Sequence, residues 1–229
     1  MYEPEPYTNQ TVNQILQNLN LDIVFVGGAT VELYVTNSTL VPEVRPTEDV
    51  DVLVELITYS DYTSLDERLL GLGFSNDVES GVLCRYRYQG LIVDIMPTQS
   101  AALGFSNKWY PDGFKNAIEI KLDDRSNVRI FSLPFFIATK WEAFKSRGKN
   151  SYRTSKDFED LVYLFENVED FDDKIREAPE KLLQYFTEEF KVIIDSDEFE
   201  EGLYCHITGG YSGFDAGYII ARLKSAFGF

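Results

Sequence analysis

The sequence predicts an α/β (α+β) chain: a mixed-sheet domain over residues 1–130, followed by a helical domain over residues 131–229. Three observations carry this reading. Short β-rich runs recur up to Phe131 and then stop. Beyond Ser132 and Pro134 the apolar residues fall at helical spacing instead. Between these patterns lies Arg45-Pro46-Thr47-Glu48-Asp49-Val50-Asp51-Val52-Leu53-Val54, a strand that opens with two carboxylates. Side chains alternate along a strand, so Asp49 and Asp51 share one face while Val50, Val52 and Val54 share the other.

Taken in order, Thr8 to Leu19 predicts a short helix, with Val12, Ile15, Leu16 and Leu19 at helical spacing. Asp22 to Val26 reads as a buried strand that runs into Gly27-Gly28, and Ala29 to Tyr34 resumes helical spacing. A strand, a glycine turn and a helix start leave backbone N–H groups free to face phosphate. Thr36 to Val44 is a loop, and the strand from Asp49 to about Leu56 follows. A helix runs from Ser60 to Leu72 and ends at Gly73, with a short strand at Phe74 to Val78. Val82 to Tyr88 and Leu91 to Met96 form a hairpin about Gln89-Gly90. Its second strand carries Asp94 among apolar residues, a costly place for an unpaired acid, so Asp94 is either a capped or salt-bridged aspartate near the strand end or a third metal-facing carboxylate. Two more strands, Ala117 to Lys121 and Val128 to Phe131, flank an Asp123-Asp124 turn. The helices are then Phe135 to Ser146, Ser155 to Glu166, Pro179 to Ile194 and Phe214 to Phe227.

Composition narrows the function classes. The net charge is −17, so broad non-specific binding to DNA is excluded, because phosphate contacts need Lys and Arg. The imbalance is local: Thr154 to Glu201 holds 17 acids against 5 bases, whereas Lys140 to Arg153 holds 5 bases and one acid. Any RNA contact is expected on that basic strip, where Tyr152 beside Arg153 is either a loop aromatic or a stacking platform. No apolar run is as long as a membrane span, and the acidic, proline-rich start lacks the pattern of a signal peptide. Two cysteines, Cys84 and Cys205, form neither a disulfide framework nor a metal knuckle, and a reducing cytoplasm is the expected setting. His206, the single histidine, has no triad partners beside it.

The Asp49/Asp51 pair leaves two readings at this point: two solvated acids at a strand start, or a pair that holds a divalent metal. The wider pattern bears on the choice. A Gly-Gly turn after a strand, an Asp-x-Asp strand and a lone Asp on a later strand resemble the nucleotidyltransferase fold of the DNA polymerase β superfamily. More narrowly, Gly27-Gly28-Ala29 followed by Arg45-Pro46-Thr47-Glu48-Asp49-Val50-Asp51 is similar to the motifs of AbiEii-type nucleotidyltransferase toxins. These are the toxin halves of bacterial abortive-infection and type IV toxin–antitoxin pairs. That family also carries Lys-x6-Arg and then Lys-Asp-x2-Asp, which Lys140 with Arg147 and Lys156-Asp157-Phe158-Glu159-Asp160 match. The resemblance covers about residues 22 to 165; the chain after about 170 matches no motif of the family.

The resemblance implies a polymerase-β-like domain and Mg²⁺-dependent transfer of a nucleoside monophosphate from an NTP to an acceptor hydroxyl. The NTP would lie between the two domains, with two Mg²⁺ ions. Asp49 and Asp51 would be metal ligands, with Asp94 as a third. Gly27, Gly28 and Lys140 would hold phosphates, assisted by Thr47, Arg147 and Arg45, which either contacts a phosphate or pins the loop by pairing with Glu48. Asp157 is expected in catalysis or as a helix cap paired with Lys140, and Asp160 as a partner of Lys156. The implied acceptor is RNA such as tRNA, or a protein, and the implied partner is an antitoxin. Two other classes stay open: a small-molecule nucleotidyltransferase of the aminoglycoside type, and a non-catalytic nucleotide-binding module. One departure concerns the turn. Many superfamily members have Gly-Ser where this chain has Gly27-Gly28, leaving Thr30 as the nearest hydroxyl.

Overall fold

The computed structural model describes residues 6–35, 42–56, 59–99, 107–122, 126–147 and 151–229. The expected Asp123-Asp124 turn and Lys149 of the basic strip lie outside them. The chain divides into two compact units, Met1–Thr30 with Arg45–Ser132, and Val31–Val44 with Leu133–Phe229.

The first unit is a mixed sheet with helices. Helix α1 (Pro6–Leu16) buries Val12 and Leu16, one turn apart. A 3-10 turn, Gln17–Leu19, leads to Asn20 in the left-handed conformation and then to β1 (Ile23–Val26), buried along its whole length. Gly28–Tyr34 is a 3-10 helix rather than the expected α-helical spacing. Its buried residues Val31 and Tyr34 are three apart, the interval that a 3-10 helix eclipses. The strands β2 (Asp49–Val54), β3 (Ser75–Asn76), β4 (Arg85–Tyr88), β5 (Leu91–Pro97), β6 (Ile118–Lys121) and β7 (Asn127–Ile130) complete the sheet. Helix α2 (Tyr59–Gly71) follows β2, and α3 (Tyr110–Lys115), which the sequence reading missed, precedes β6.

Among the described residues the sheet order is β3-β4-β5-β2-β1-β7-β6. Strand β2 runs antiparallel to β1 and parallel to β5, so it is interior to the sheet. Val50, Val52, Leu53, Val93 and Ile95 are all buried there. The hairpin about Gln89-Gly90 has positive φ at both turn residues, the conformation that matches strand twist in two-residue turns.

The second unit is helical: α4 (Leu133–Arg147), α5 (Lys156–Asn167), α6 (Phe171–Arg176), α7 (Glu180–Phe190), α8 (Asp197–His206) and α9 (Ala216–Phe227). Its core is aromatic. Phe227 stacks on Phe186 at 4.8 Å, and Trp141 lies 4.6 Å from Phe190. Tyr152 packs among Phe144, Phe158 and Phe199, which makes it a core residue rather than an open stacking platform. His206 is also structural, its Nε2 lying 2.8 Å from the Tyr152 carbonyl. Residues 31–44 join this unit: Tyr34 packs 4.9 Å from Phe136, and the Tyr163 hydroxyl donates to the Pro42 carbonyl at 3.0 Å.

Glu166 on α5 is fully buried. Its carboxylate accepts from the backbone N–H and hydroxyl of Thr208, from Gly209 N–H and from the Ser212 hydroxyl, and so organises the loop before α9. Glu166→Ala strands two backbone donors and two hydroxyls. A stranded buried group costs roughly 1–3 kcal/mol. Thr208 and Gly209 are half-buried and regain water, so the net cost is about 2–3 kcal/mol and the melting temperature is expected to fall by about 5–10 °C, at about 2–4 °C per kcal/mol for a chain of this size. A drop below about 2 °C in a thermal scan would show that water replaces the carboxylate.

Candidate active site

The glycine turn, the Asp-x-Asp strand and the lone aspartate all belong to the first unit. The β1–β2 register sets Val26, the last residue of β1, opposite Asp51. The chain therefore leaves β1 beside that carboxylate. Gly27 turns with φ +76°, and a Cβ there would lie 1.8 Å from Asp51 Oδ2. No other residue type satisfies both conditions. A Cβ on Gly28 would lie 2.6 Å from Thr47 Cγ2 and 3.2 Å from an Arg45 Nη. The turn is thus bordered by Asp51, Thr47 and Arg45, three of the residues singled out in the sequence.

Local bonds hold the turn. Asn9 on α1 donates to the Ala29 carbonyl at 2.6 Å. Thr30 donates its hydroxyl, at 3.0 Å, and its N–H to the Gly27 carbonyl. This buried hydroxyl closes the turn, so it is committed elsewhere than to the role of the missing serine. Thr47 donates to the Asp49 carbonyl at 3.3 Å, where β2 begins. Asp49 and Asp51 are half-buried, while Val50 between them and Val52 beyond are buried, as the period of two requires.

Strand β5 places Asp94 directly opposite Asp51, and β4 places Arg85 directly opposite Asp94. Arg85, which the sequence reading missed, grips Asp94 with two bonds: Nε to Oδ1 at 2.8 Å and Nη2 to Oδ2 at 2.7 Å. The same Nη2 lies 3.3 Å from Asp49 Oδ2. The bonds to Asp94 raise the Arg85 pKa against the effect of burial, and the charges of Asp94, Asp49 and Asp51 add to the rise. Burial, together with Asp94, pushes the neighbouring Cys84 thiol up to about 12, which leaves it unreactive. The hairpin itself contained the signal for Arg85. A two-residue turn at Gln89-Gly90 pairs Tyr88 with Leu91, and counting back pairs Arg85 with Asp94.

Mg²⁺ takes hard oxygen donors, and Asp49 and Asp51 offer them from one strand face beside the Gly27 backbone. These two fit a divalent ion. Asp94 sits in the same row with both oxygens bonded to a guanidinium. Among the described residues, no three His, Cys, Asp or Glu side chains are gathered as a metal cage.

The second unit holds the remaining candidates. Lys140 is buried, 5% exposed, and bridges Asp157 at 3.2 Å and Asp160 at 2.6 Å. Arg147 closes on Asp157 through Nε at 2.7 Å and Nη2 at 2.8 Å. Asp160 thus pairs with Lys140, because the packing of α4 on α5 puts the Lys140 ammonium between two carboxylates one turn apart. Farther along the basic strip, Lys145 pairs with Glu142 and Glu189, and Arg153 pairs with Glu201.

Burial tends to raise the Asp157 pKa, but the Arg147 bonds and the charges of Lys140 and Arg147 outweigh it and hold the carboxyl below its usual range. The folded value is lower than the unfolded one. The pair's contribution is therefore full above the ordinary carboxylate range and is lost as pH falls through the folded value. Melting temperatures measured between about pH 5 and about pH 2 should fall more steeply for wild type than for Asp157→Asn. Parallel slopes would remove Asp157 as a source of acid sensitivity.

The family model described as "Nucleotidyl transferase AbiEii toxin, Type IV TA system" matches residues 14–204. No curated protein matches the chain. Among solved structures, an antigenic nucleotidyltransferase-like protein from Paracoccidioides brasiliensis is 17% identical, with 88% of this chain and 93% of that one covered and a TM-score of 0.49. The antibiotic-resistance factor ANT(2'')-Ia is 14% identical, with 82% and 94% covered and a TM-score of 0.50; this likeness concerns the fold alone. Among the described residues no helix is long and apolar enough to cross a membrane.

Proposed function

Since the chain belongs to the AbiEii nucleotidyl transferase toxin family, we propose that it transfers a nucleoside monophosphate from an NTP to an acceptor hydroxyl on RNA, such as tRNA, or on a protein. The observation that carries this reading is the approach of Gly27 to Asp51: a glycine turn after β1 borders a carboxylate that Asp49 joins on the same face. Asp49 and Asp51 would hold Mg²⁺, with Asp94 as a third ligand only where it leaves Arg85. When bound, the ion neutralises charge on the transferring phosphoryl group and activates the attacking hydroxyl. Gly27 and Gly28 present backbone N–H groups to the phosphates. Arg45, whose guanidinium lies against Gly28, supplies a positive charge at the same turn. Thr47 fixes the start of β2 and thereby the aim of Asp49. Lys140 and Arg147 match the family motif proposed to serve the triphosphate, and within the helical unit Asp157 orients both cations.

The charge pattern bears on the proposed acceptor. Lys140, Lys145, Arg147 and Arg153 are each matched by an acid, so an RNA partner would meet few unneutralised cations on this strip. A small footprint, such as one RNA end or one protein hydroxyl, suits that surface. The family's antitoxin is proposed as the partner that restrains the activity, and the cytoplasm as its setting.

The test is incubation with each labelled NTP and Mg²⁺, offering tRNA, a cell protein mixture and aminoglycosides as separate acceptors. Label on tRNA or protein supports the proposal. Label on aminoglycoside alone replaces it with the small-molecule reading. No transfer and no NTP binding by calorimetry overturns it. Relief of growth arrest by a co-expressed neighbouring protein tests the antitoxin.

A further inference from the structure

Three acids of like charge, Asp49, Asp51 and Asp94, line adjacent positions on β2 and β5. Such a cluster ordinarily needs a cation. Arg85 is that cation, and it belongs to the protein. Its two parallel bonds to Asp94 form the strongest geometry available between a guanidinium and a carboxylate. Its single 3.3 Å contact with Asp49 is longer and cheaper to give up. A guanidinium stays charged at any working pH, so it cannot release Asp94 by losing a proton. Register enforces the arrangement, since β4 and β2 flank β5 and the three residues Arg85, Asp94 and Asp51 form one row.

We infer that Arg85 is a positioning residue that reserves Asp94 and limits divalent binding in the nucleotide-free protein to Asp49 and Asp51. Metal loading then depends on oxygens delivered by the nucleotide phosphates. An ion arriving alone meets two carboxylates, one of them shared with Arg85. Asp94 acts as the anchor of Arg85, and Arg85 in turn tethers Asp49. The inference rests on the proposed metal-binding role of Asp49 and Asp51.

The experiment measures Mn²⁺ binding to the full chain without nucleotide, following the free-ion signal by electron paramagnetic resonance. The proteins are wild type, Arg85→Met, Arg85→Lys, Asp94→Asn and the Arg85→Met/Asp94→Asn double variant. Wild type is expected to bind weakly without NTP and more tightly with it. Arg85→Met should bind Mn²⁺ alone about tenfold more tightly or better, because a unit charge has left and a carboxylate has been freed. The double variant, equal in net charge to wild type, should lose most of that gain and keep only the part due to Asp49 being free of Arg85, and Asp94→Asn alone should bind no more tightly than wild type. Arg85→Lys keeps the charge but lacks the fork, so a smaller gain is expected; it also carries the test if Arg85→Met fails to fold. Unchanged or weaker Mn²⁺ binding in the folded Arg85 variants, or a gain that survives Asp94→Asn undiminished, overturns the inference. Absence of Mn²⁺ binding in wild type even with NTP strikes instead at the role of Asp49 and Asp51.

Discussion

Asp51→Asn is expected to lower nucleotidyl transfer by about a thousandfold or more while leaving the protein as stable as before. The loss follows from the proposed site. Removing one charged ligand of a catalytic cation removes stabilisation worth at least as much as a single well-placed donor, about 10²–10³ in rate. The stability side comes from repulsion. Asp49 and Asp51 are half-buried like charges on one strand face, so neutralising one relieves the other. A melting temperature equal to wild type, or a few degrees higher, is therefore the second half of the expected result. Asp49→Asn should behave similarly, with a smaller gain in stability because Asp49 already leans on Arg85. Transfer of labelled NMP, measured beside thermal melts, checks both. Retention of transfer within about tenfold of wild type would remove Asp51 from the reaction.

Gly27→Ala is expected to be the most damaging single-methyl change in the first unit. Two costs add. A left-handed backbone at φ +76° disfavours a Cβ by about 1–2 kcal/mol. The new atom would also fall 1.8 Å from Asp51 Oδ2, so the turn or the carboxylate must move, at about 1–3 kcal/mol. The total is about 2–5 kcal/mol, a fall of about 5–15 °C in melting temperature. Transfer should fail with it, since the displaced group is Asp51. Gly28→Ala provides the contrast. It meets Thr47 and Arg45 without the backbone penalty, so it should raise the KM for NTP more than it lowers the melting temperature. A Gly27→Ala protein that melts within about 2 °C of wild type and keeps its activity would mean that the turn opens away from Asp51.

Much of this site was legible because its parts are local. The strand and turn around Gly27-Gly28 and the alternation through Asp49, Val50 and Asp51 need only neighbouring residues. The hairpin was equally plain, yet Arg85 went unread, because its partner depends on counting register across the turn and its contact with Asp49 on a third strand. The pairing of Asp160 with Lys140 was hidden for a related reason. Lys156, four positions from Asp160, is the partner that sequence spacing suggests, while Lys140 reaches it only through the packing of α4 on α5. Three helices were the other omission: α3, α6 and α8, the last with only Phe199, Gly202 and Leu203 buried. Helix α6 offers only Phe171 and Ile175 as a buried pair, and α3 carries Pro111 and Gly113, so neither presents enough periodic signal.

The grouping of residues 31–44 with the helical unit bears on how the protein is made. This segment lies between the glycine turn and the Asp-x-Asp strand, yet its partners Phe136 and Tyr163 come about a hundred residues later. A ribosome adding roughly 5–20 residues per second exposes Tyr34 for about 5–20 s before Phe136 exists. The nascent chain must therefore carry Val31 and Tyr34 unburied between the two halves of the proposed nucleotide site. Truncation at residue 130 would make that pause permanent, leaving Val31 and Tyr34 without the unit that buries them. Burial of Val31 and Tyr34 during synthesis is thus delayed until the helical unit has emerged.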